Sequence, residues 1–339
     1  MARAGAAEGE GGTMKAVVLV GGEGTRLRPL TFSTPKQMLP VAGRTVIERV
    51  VEHLAAHGVD EVVLSLGYRP DVFMAAYPDG FCGDVRLRYA VESSPLDTGG
   101  AIAFAAREAG VGDETFVVVN GDVLTEIDVT ALVDFHRSHR AEGSIALTPV
   151  ENPSAFGVVP VDHTGRVEAF IEKPPAGEAP TNMINAGIYV LEPSFLERVP
   201  QGRRASVERE IFPALVGAGS LYALGSSALW TDMGTPEKYL EANLAWATRE
   251  KCLAGHRPGA TVANSVIGDD VLIEEGAEIH EAVVLRGGRV RAGAVVRRSV
   301  LGPNVTVGMG ALVDGLTVLG DGWVVAAGDV LTGARLPAA

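Results

Sequence analysis

Residues 21–29 read GGEGTRLRP, three glycines in four positions followed by two arginines, directly after the apolar run KAVVLV (15–20). Glycines let a backbone curl so that its N–H groups converge on an oxyanion, and arginine adds a bidentate charged contact. At the carboxyl end of a buried parallel strand, where open α/β sheets take their ligands, such a loop is suited to cradle phosphate. Two familiar phosphate motifs do not fit. The dinucleotide fingerprint lacks its third glycine before a helix, and no GK[ST] of a P-loop follows. Pro29 and Pro35 also prevent a long helix from starting at once, so the loop must bind phosphate by itself.

The elements that hold this loop follow from hydrophobic patterning. Short β-branched runs alternate with helical patterns through the first half, the sequence form of βαβ units on a mainly parallel sheet. Strands are predicted at 15–20, 61–67, 85–91, 116–120 and 144–150, with helices at 44–58, 98–110 and 128–143. Thr45 and Glu48 form a capping box, with Gly58 past that helix's end. Beyond residue 157 a hairpin turning at His163–Gly165 and a strand in INAGIYVLEP are expected. A helix follows, capped by Thr235 with Pro236 at its first position.

After GHRPG (255–259) an apolar residue recurs about every six positions with glycine nearby, a hexapeptide-type period that stacks short strands into a parallel β-helix. The phase slips near Arg297 and Gly315. The expected organisation is a tail over 1–13, a Rossmann-like α/β domain over 14–255 and the solenoid over 256–339. The tail is rich in Gly, Ala and Glu without periodicity and is read as disordered.

Composition narrows the function classes. A formal net charge of −13 excludes a general nucleic-acid or membrane-surface binder, so any anion must be held by a local pocket. Two cysteines, Cys82 and Cys252, in no metal-ligand spacing suit a reducing compartment. The absence of a long apolar run or a hydrophobic leader points to a cytoplasmic protein.

In order along the chain, LVGGEGTRLRPLT, PKQMLPVAG, ESSPLDTGGAI, VVNGDV, FGVVP, EKP, INAGIYVLEP and WTDMGTPEKY resemble the sugar-1-phosphate nucleotidyltransferases. The set is most similar to their bacterial mannose-1-phosphate guanylyltransferase branch, and a left-handed β-helix commonly follows in this family. The resemblance implies a reaction that joins a nucleoside triphosphate to a sugar 1-phosphate and releases pyrophosphate. A sugar phosphate is largely anionic at pH 7, its second pKa lying near 6 by analogy with phosphorylated side chains, so no general base is required. The obstacle is charge: unit like charges about 4 Å apart repel by about 4 kcal/mol at an effective dielectric of 20. Catalysis then rests on positioning and neutralisation by Mg²⁺ and fixed cations.

The resemblance distributes the roles. Leu19, Gly21, Gly22, Gly24, Thr25, Arg26 and Gly121 would bind the nucleotide, with Lys36 between its phosphates and the incoming one. Glu92, Asp97 and Thr98 fall in the base-binding segment. Gly157, Glu172, Lys173 and Asn185 would meet the sugar phosphate, and Asp122 and Asp232 would hold the metal, a hard cation preferring oxygen ligands. Glu92 could accept the adjacent N1–H and N2–H of guanine, which favours GTP with mannose 1-phosphate. Departures leave thymidylyl or uridylyl transfer to glucose 1-phosphate, and heptose or cyclitol acceptors, open: Asp97 replaces a common glycine, and PKQ a common Pro-Lys-Pro.

Other readings carry less. His53, His57, His136 and His139 fall on helix surfaces by pattern, as solvated residues. His280 in the solenoid raises acyl transfer, but the solenoid is short and nothing in it marks a coenzyme A site. A non-catalytic nucleotide-sugar-binding paralogue would tend to lose the loop arginine or a metal aspartate, and both are kept. The solenoid's open ends favour a homo-oligomer.

Overall fold

The computed structural model describes residues 14–254 and 259–338. The expected tail over 1–13 lies outside the described residues, as does the join at 255–258.

Val85–Val91, Val59–Leu66, Met14–Leu19 and Phe116–Asn120 lie side by side as parallel strands. Met183–Leu191 runs antiparallel beside Phe116–Asn120, and Gly143–Pro149 and Leu221–Gly225 extend that side of a ten-stranded sheet. From Met14–Leu19 the chain builds outward through Val59–Leu66 to Val85–Val91, then returns to its other side as Phe116–Asn120. The glycine loop therefore leaves the sheet where strand order reverses, the crevice in which open α/β sheets bind ligands.

Alternation along each buried strand feeds two cores. Ala16, Val18, Val62 and Val117 pack on one face with Ile47, Val51 and Leu54 of the Val46–Ala56 helix. Val17, Val63 and Val118 pack on the other with Ile102 and Ala106 of the Asp97–Glu108 helix. Both expected caps are present. Thr45 and Glu48 exchange side-chain and backbone bonds, and the Thr235 hydroxyl accepts from Lys238 N ahead of Pro236. The turn expected at 163–165 is closed by Gly165 N donating to Asp162 O at 3.0 Å.

The C-terminal strands form three all-parallel sheets, as a hexapeptide β-helix requires. Its interior stacks Ile279, Val296 and Val313 against Val284, Leu301 and Leu319 and against Val290, Val307 and Val325. The register explains the slipping period. Thr261 pairs with Glu278, Glu278 with Val295 and Val295 with Leu312, each a step of 17 residues, and the step from Leu312 to Val330 is longer by one, at Gly315–Leu316. Hexads are thus shortened at the corners Asn264, Glu281 and Arg298, where φ is positive.

One face of the solenoid is packed on the α/β half. Val266, Val283, Val300 and Val318, one per coil, share a core with Leu27, Leu30, Val41 and Trp246. Gly320 in the last turns stands against the glycine-loop segment, where a Cβ would lie 3.1 Å from Pro29. Arg335 reaches the Arg26 carbonyl oxygen at 3.5 Å.

The reading of His136 as a surface residue is corrected. It is buried; its Nε2 donates to Glu192 at 2.9 Å and its Nδ1 accepts from the Ser144 hydroxyl at 2.9 Å. Burial lowers its pKa despite the neighbouring carboxylate. His53 is also partly covered, bonding the Ile127 carbonyl oxygen, and burial lowers its pKa as well.

Candidate active site

Three strand ends make the floor. Leu19 stands in register with Ser65 on one side and Asn120 on the other, so the segments that follow, Val20–Gly22, Gly67–Tyr68 and Gly121–Asp122, emerge together. Gly22 and Gly24 have φ of 102° and 61°, a left-handed backbone that turns the loop back over the sheet edge.

A cavity of about 550 Å³ opens there. It brings together Leu19, Gly21, Gly22, Lys36, Glu92, Asp97, Thr98 and Asp122 of the expected residues. Gln37 lines it too; the side chain is buried and its Oε1 has no partner, a kind of group that a bound ligand can satisfy.

Glu92, Asp97 and Thr98, the residues expected at the base, are held by local bonds. Glu92 Oε1 accepts from the Ser65 hydroxyl at 3.2 Å and Oε2 from Leu96 N at 3.0 Å. Each carboxylate oxygen retains a further lone pair for a ligand. Asp97 is tied outward: Oδ2 accepts from Arg209 at 2.8 Å while Oδ1 accepts from Thr98 N. The Thr98 hydroxyl donates to Glu208 at 2.7 Å and accepts from Val207 N, which pins the start of the Asp97–Glu108 helix.

The two aspartates are brought side by side by short strands. Trp230–Asp232 pairs antiparallel with Val123–Thr125, Asp232 opposite Val123, and Met233 N donates to Asp122 O at 2.9 Å. Each carboxylate has an ammonium partner, Lys36 on Asp122 and Lys238 on Asp232. Arg26, one turn beyond the glycines with Gly24 and Thr25, stays outside the cavity lining and turns toward Asp232. A Cβ on Gly234 would lie 2.8 Å from Asp232 Oδ2 and 3.2 Å from Arg26 Nη2.

Among the described residues no three His, Cys, Asp or Glu side chains gather around a metal position. Two carboxylates on adjacent strands, already drawn to cations, nevertheless suit a hard divalent ion that takes its remaining oxygens from water and substrate phosphate.

The residues expected to face the sugar phosphate form a second group. Gly157 pairs with Glu172, and Val158 with Ile184, one residue before Asn185. A Cβ on Gly157 would lie 3.2 Å from Glu172 Oε2. Lys173 adopts φ of 50°, its N–H donates to the Phe156 carbonyl oxygen at 3.0 Å, and its exposed ammonium stands 3.3 Å from Glu172. Asn185 donates to the Tyr189 hydroxyl and accepts from Gly187 N, both at 2.9 Å. Gly187 in turn abuts Asn120 of the cavity wall, whose Nδ2 would lie 2.6 Å from an added Cβ.

Sequence reasoning missed Lys238, whose ammonium lies 5.0 Å over the Phe156 ring as well as on Asp232. Its signal was its position in the first turn of a helix starting just after WTD, where a side chain can reach back to the strand. It also missed Asn120 and Gln37, neighbours of residues it chose.

Comparison with known proteins identifies the family. A model described as nucleotidyl transferase matches residues 15–249, and one described as GMPPB C-terminal domain matches residues 256–337. Mannose-1-phosphate guanylyltransferase of Mycobacterium tuberculosis is 42% identical over 295 residues, 82% of this chain and 81% of that protein. Mannose-1-phosphate guanylyltransferase 1 of Arabidopsis thaliana is 37% identical over 302 residues, covering 82% and 83%. Among solved structures, HddC from Yersinia pseudotuberculosis complexed with GMP-PN superposes with a TM-score of 0.59 at 29% identity. That match covers 69% of this chain and 99% of that one.

Proposed function

Because the chain belongs to the nucleotidyl transferase family, we propose that it joins GTP to mannose 1-phosphate, releasing pyrophosphate and forming GDP-mannose. The class is that of a sugar-1-phosphate nucleotidyltransferase, whose members generally use a divalent metal. Glu92 carries the choice of base. Its carboxylate lines the cavity, is oriented by Ser65 and Leu96 N, and has the acceptor capacity for guanine's adjacent N1–H and N2–H. The relatives' names support the same pair.

In this reading the glycine-loop amides and Arg26 receive the triphosphate, and Lys36 lies between it and the incoming phosphate. Lys173 grips the sugar phosphate, with Glu172, Asn185 and the Gly157 backbone toward the sugar hydroxyls. Asp122 and Asp232 hold Mg²⁺. The bound ion supplies charge neutralisation and polarises phosphoryl oxygens. The sugar phosphate oxygen attacks the α-phosphorus, the α–β bridging bond breaks, and pyrophosphate leaves with its electron pair. No side chain has to remove a proton.

Free thiols at Cys82 and Cys252 accord with a cytoplasmic setting. The exposed Met309, Val324 and Val330 favour self-association through the solenoid, which sedimentation would test.

The deciding experiment is pyrophosphate release across the nucleoside triphosphates and several sugar phosphates. GTP with mannose 1-phosphate is expected to give the highest kcat/KM. Glu92→Gln is expected to reduce the preference for GTP by about 1–3 kcal/mol, the cost of a mispaired buried polar group. A tenfold preference for dTTP or UTP would overturn the guanylyl reading.

A further inference from the structure

Lys238 has no role in the scheme above, yet its ammonium joins the two halves of the site. It pairs with Asp232 and lies 5.0 Å over the ring of Phe156. Phe156 precedes Gly157, and its carbonyl oxygen anchors Lys173 N. The ring is itself fixed edge-on against Trp230, whose Nε1–H donates to Ala186 O at 2.8 Å, next to Asn185. Lys238 thus stands between the carboxylate expected to hold the metal and the wall expected to face the sugar.

Charge decides what it does there. Asp232 and Asp122, the latter just before the strand paired with Trp230–Asp232, carry two negative charges, and two ammoniums answer them, Lys36 on Asp122 and Lys238 on Asp232. A divalent ion taking both carboxylates makes both ammoniums surplus. The surplus charge is then available to the incoming phosphates, which are otherwise repelled by each other. Lys36 lines the nucleotide cavity, so it is released toward the nucleotide; Lys238 does not line it and rests on the Phe156 side. Lys238 is also only partly buried, at 35% side-chain exposure, and is free to swing while the ring face retains it.

We infer that Lys238 is a sugar-phosphate-binding cation, paired with Asp232 until a divalent ion takes that carboxylate and then released toward the acceptor phosphate. The inference rests on the nucleotidyltransferase reading with Asp232 as metal ligand, but not on which base or sugar is used.

Direct Mn²⁺ binding by electron paramagnetic resonance, without substrates, separates the exchange from turnover. Lys238→Met removes the competing ammonium and is expected to tighten Mn²⁺ about threefold, the scale of a partly exposed ion pair. In kinetics with the best sugar phosphate, the same variant should raise its KM about tenfold or more, with the nucleotide KM within about twofold, as loss of a charge-assisted bond implies. Lys238→Arg should recover most of the sugar-phosphate KM, which a merely structural role would not give. Unchanged or weaker Mn²⁺ binding in Lys238→Met overturns the exchange. A KM increase shared equally by both substrates, or none, overturns the phosphate role. Failure of Mn²⁺ to bind wild type and Asp232→Asn differently would instead remove Asp232 from the metal site and with it the parent reading.

Discussion

The Gly121 amide donates to the Leu19 carbonyl oxygen at 2.9 Å, and any Cβ at Gly121 would stand 2.8 Å from that same oxygen. The two strand ends that carry the glycine loop and Asp122 are thereby locked at contact distance. Gly121→Ala must push them apart. A stability loss of about 1–3 kcal/mol in urea unfolding is expected, as for other overpacked sites. A fall in kcat/KM of about tenfold or more should accompany it, because the nucleotide loop and Asp122 no longer meet.

Asp122→Asn and Asp232→Asn each delete one charge from the candidate metal pair. Each variant should lose most of its turnover and require a higher divalent-ion concentration for half-maximal activity. Near-normal rates in both would overturn the assignment.

Arg26→Ala and Lys173→Ala each lose a charge-assisted bond worth about 1.5–3 kcal/mol, or roughly tenfold or more in kcat/KM. The Lys173 effect should fall mainly on the sugar-phosphate KM, since Lys173 sits with Glu172 beyond the nucleotide cavity.

His136 gives a pH prediction. Its folded pKa lies below its unfolded value near 6.5, so the unfolded chain binds the extra proton first as pH falls. Stability is retained above pH 6.5 and declines below it, by at most about 1.4 kcal/mol per pH unit from this one group. Unfolding free energies measured from pH 7.5 to 5.5 should therefore fall, and His136→Gln should flatten the slope. His53, with a pKa lowered by burial and by His57, adds to it in the same direction.

The solenoid's valine face predicts that the chain without residues 256–339 is not merely a free catalytic unit. Removing the cover from Leu30 and Val41 forfeits about 1.5–3 kcal/mol for each large side chain left exposed. A lower Tm and concentration-dependent aggregation are expected; an unchanged Tm would contradict the shared core.

Local signals were legible where one short segment holds all its partners. The Thr45–Glu48 box, the Thr235 cap and the positive-φ glycines of the loop are of this kind. So were the strand-end positions of Leu19 and Asp122, because a buried parallel strand delivers its next residues to the sheet's edge. His136 was misread because its helix pattern is amphipathic while its hydrogen-bond partners come from elsewhere in the chain, Ser144 on the strand Gly143–Pro149 and Glu192 just past Met183–Leu191. Interior valines of the β-helix and those of its outer face share one sequence appearance, so the period revealed the stack but not the surface docked on the catalytic half. Lys238 was hidden for a related reason. A lysine in a first helical turn looks solvated until the strand bearing Asp232 is laid beside it.

Gly320 and Arg335 meet Pro29 and Arg26 about three hundred residues apart in the chain. Synthesis from the ribosome therefore delivers the nucleotide loop first and its backing last. A nascent chain can build the sheet and its glycine turn early, but the underside of that turn stays bare until the final coil has emerged and wound onto the stack. Competence to hold a triphosphate tightly should then arise late in translation, and chains interrupted within the solenoid should carry a correctly ordered sheet with an unsupported loop.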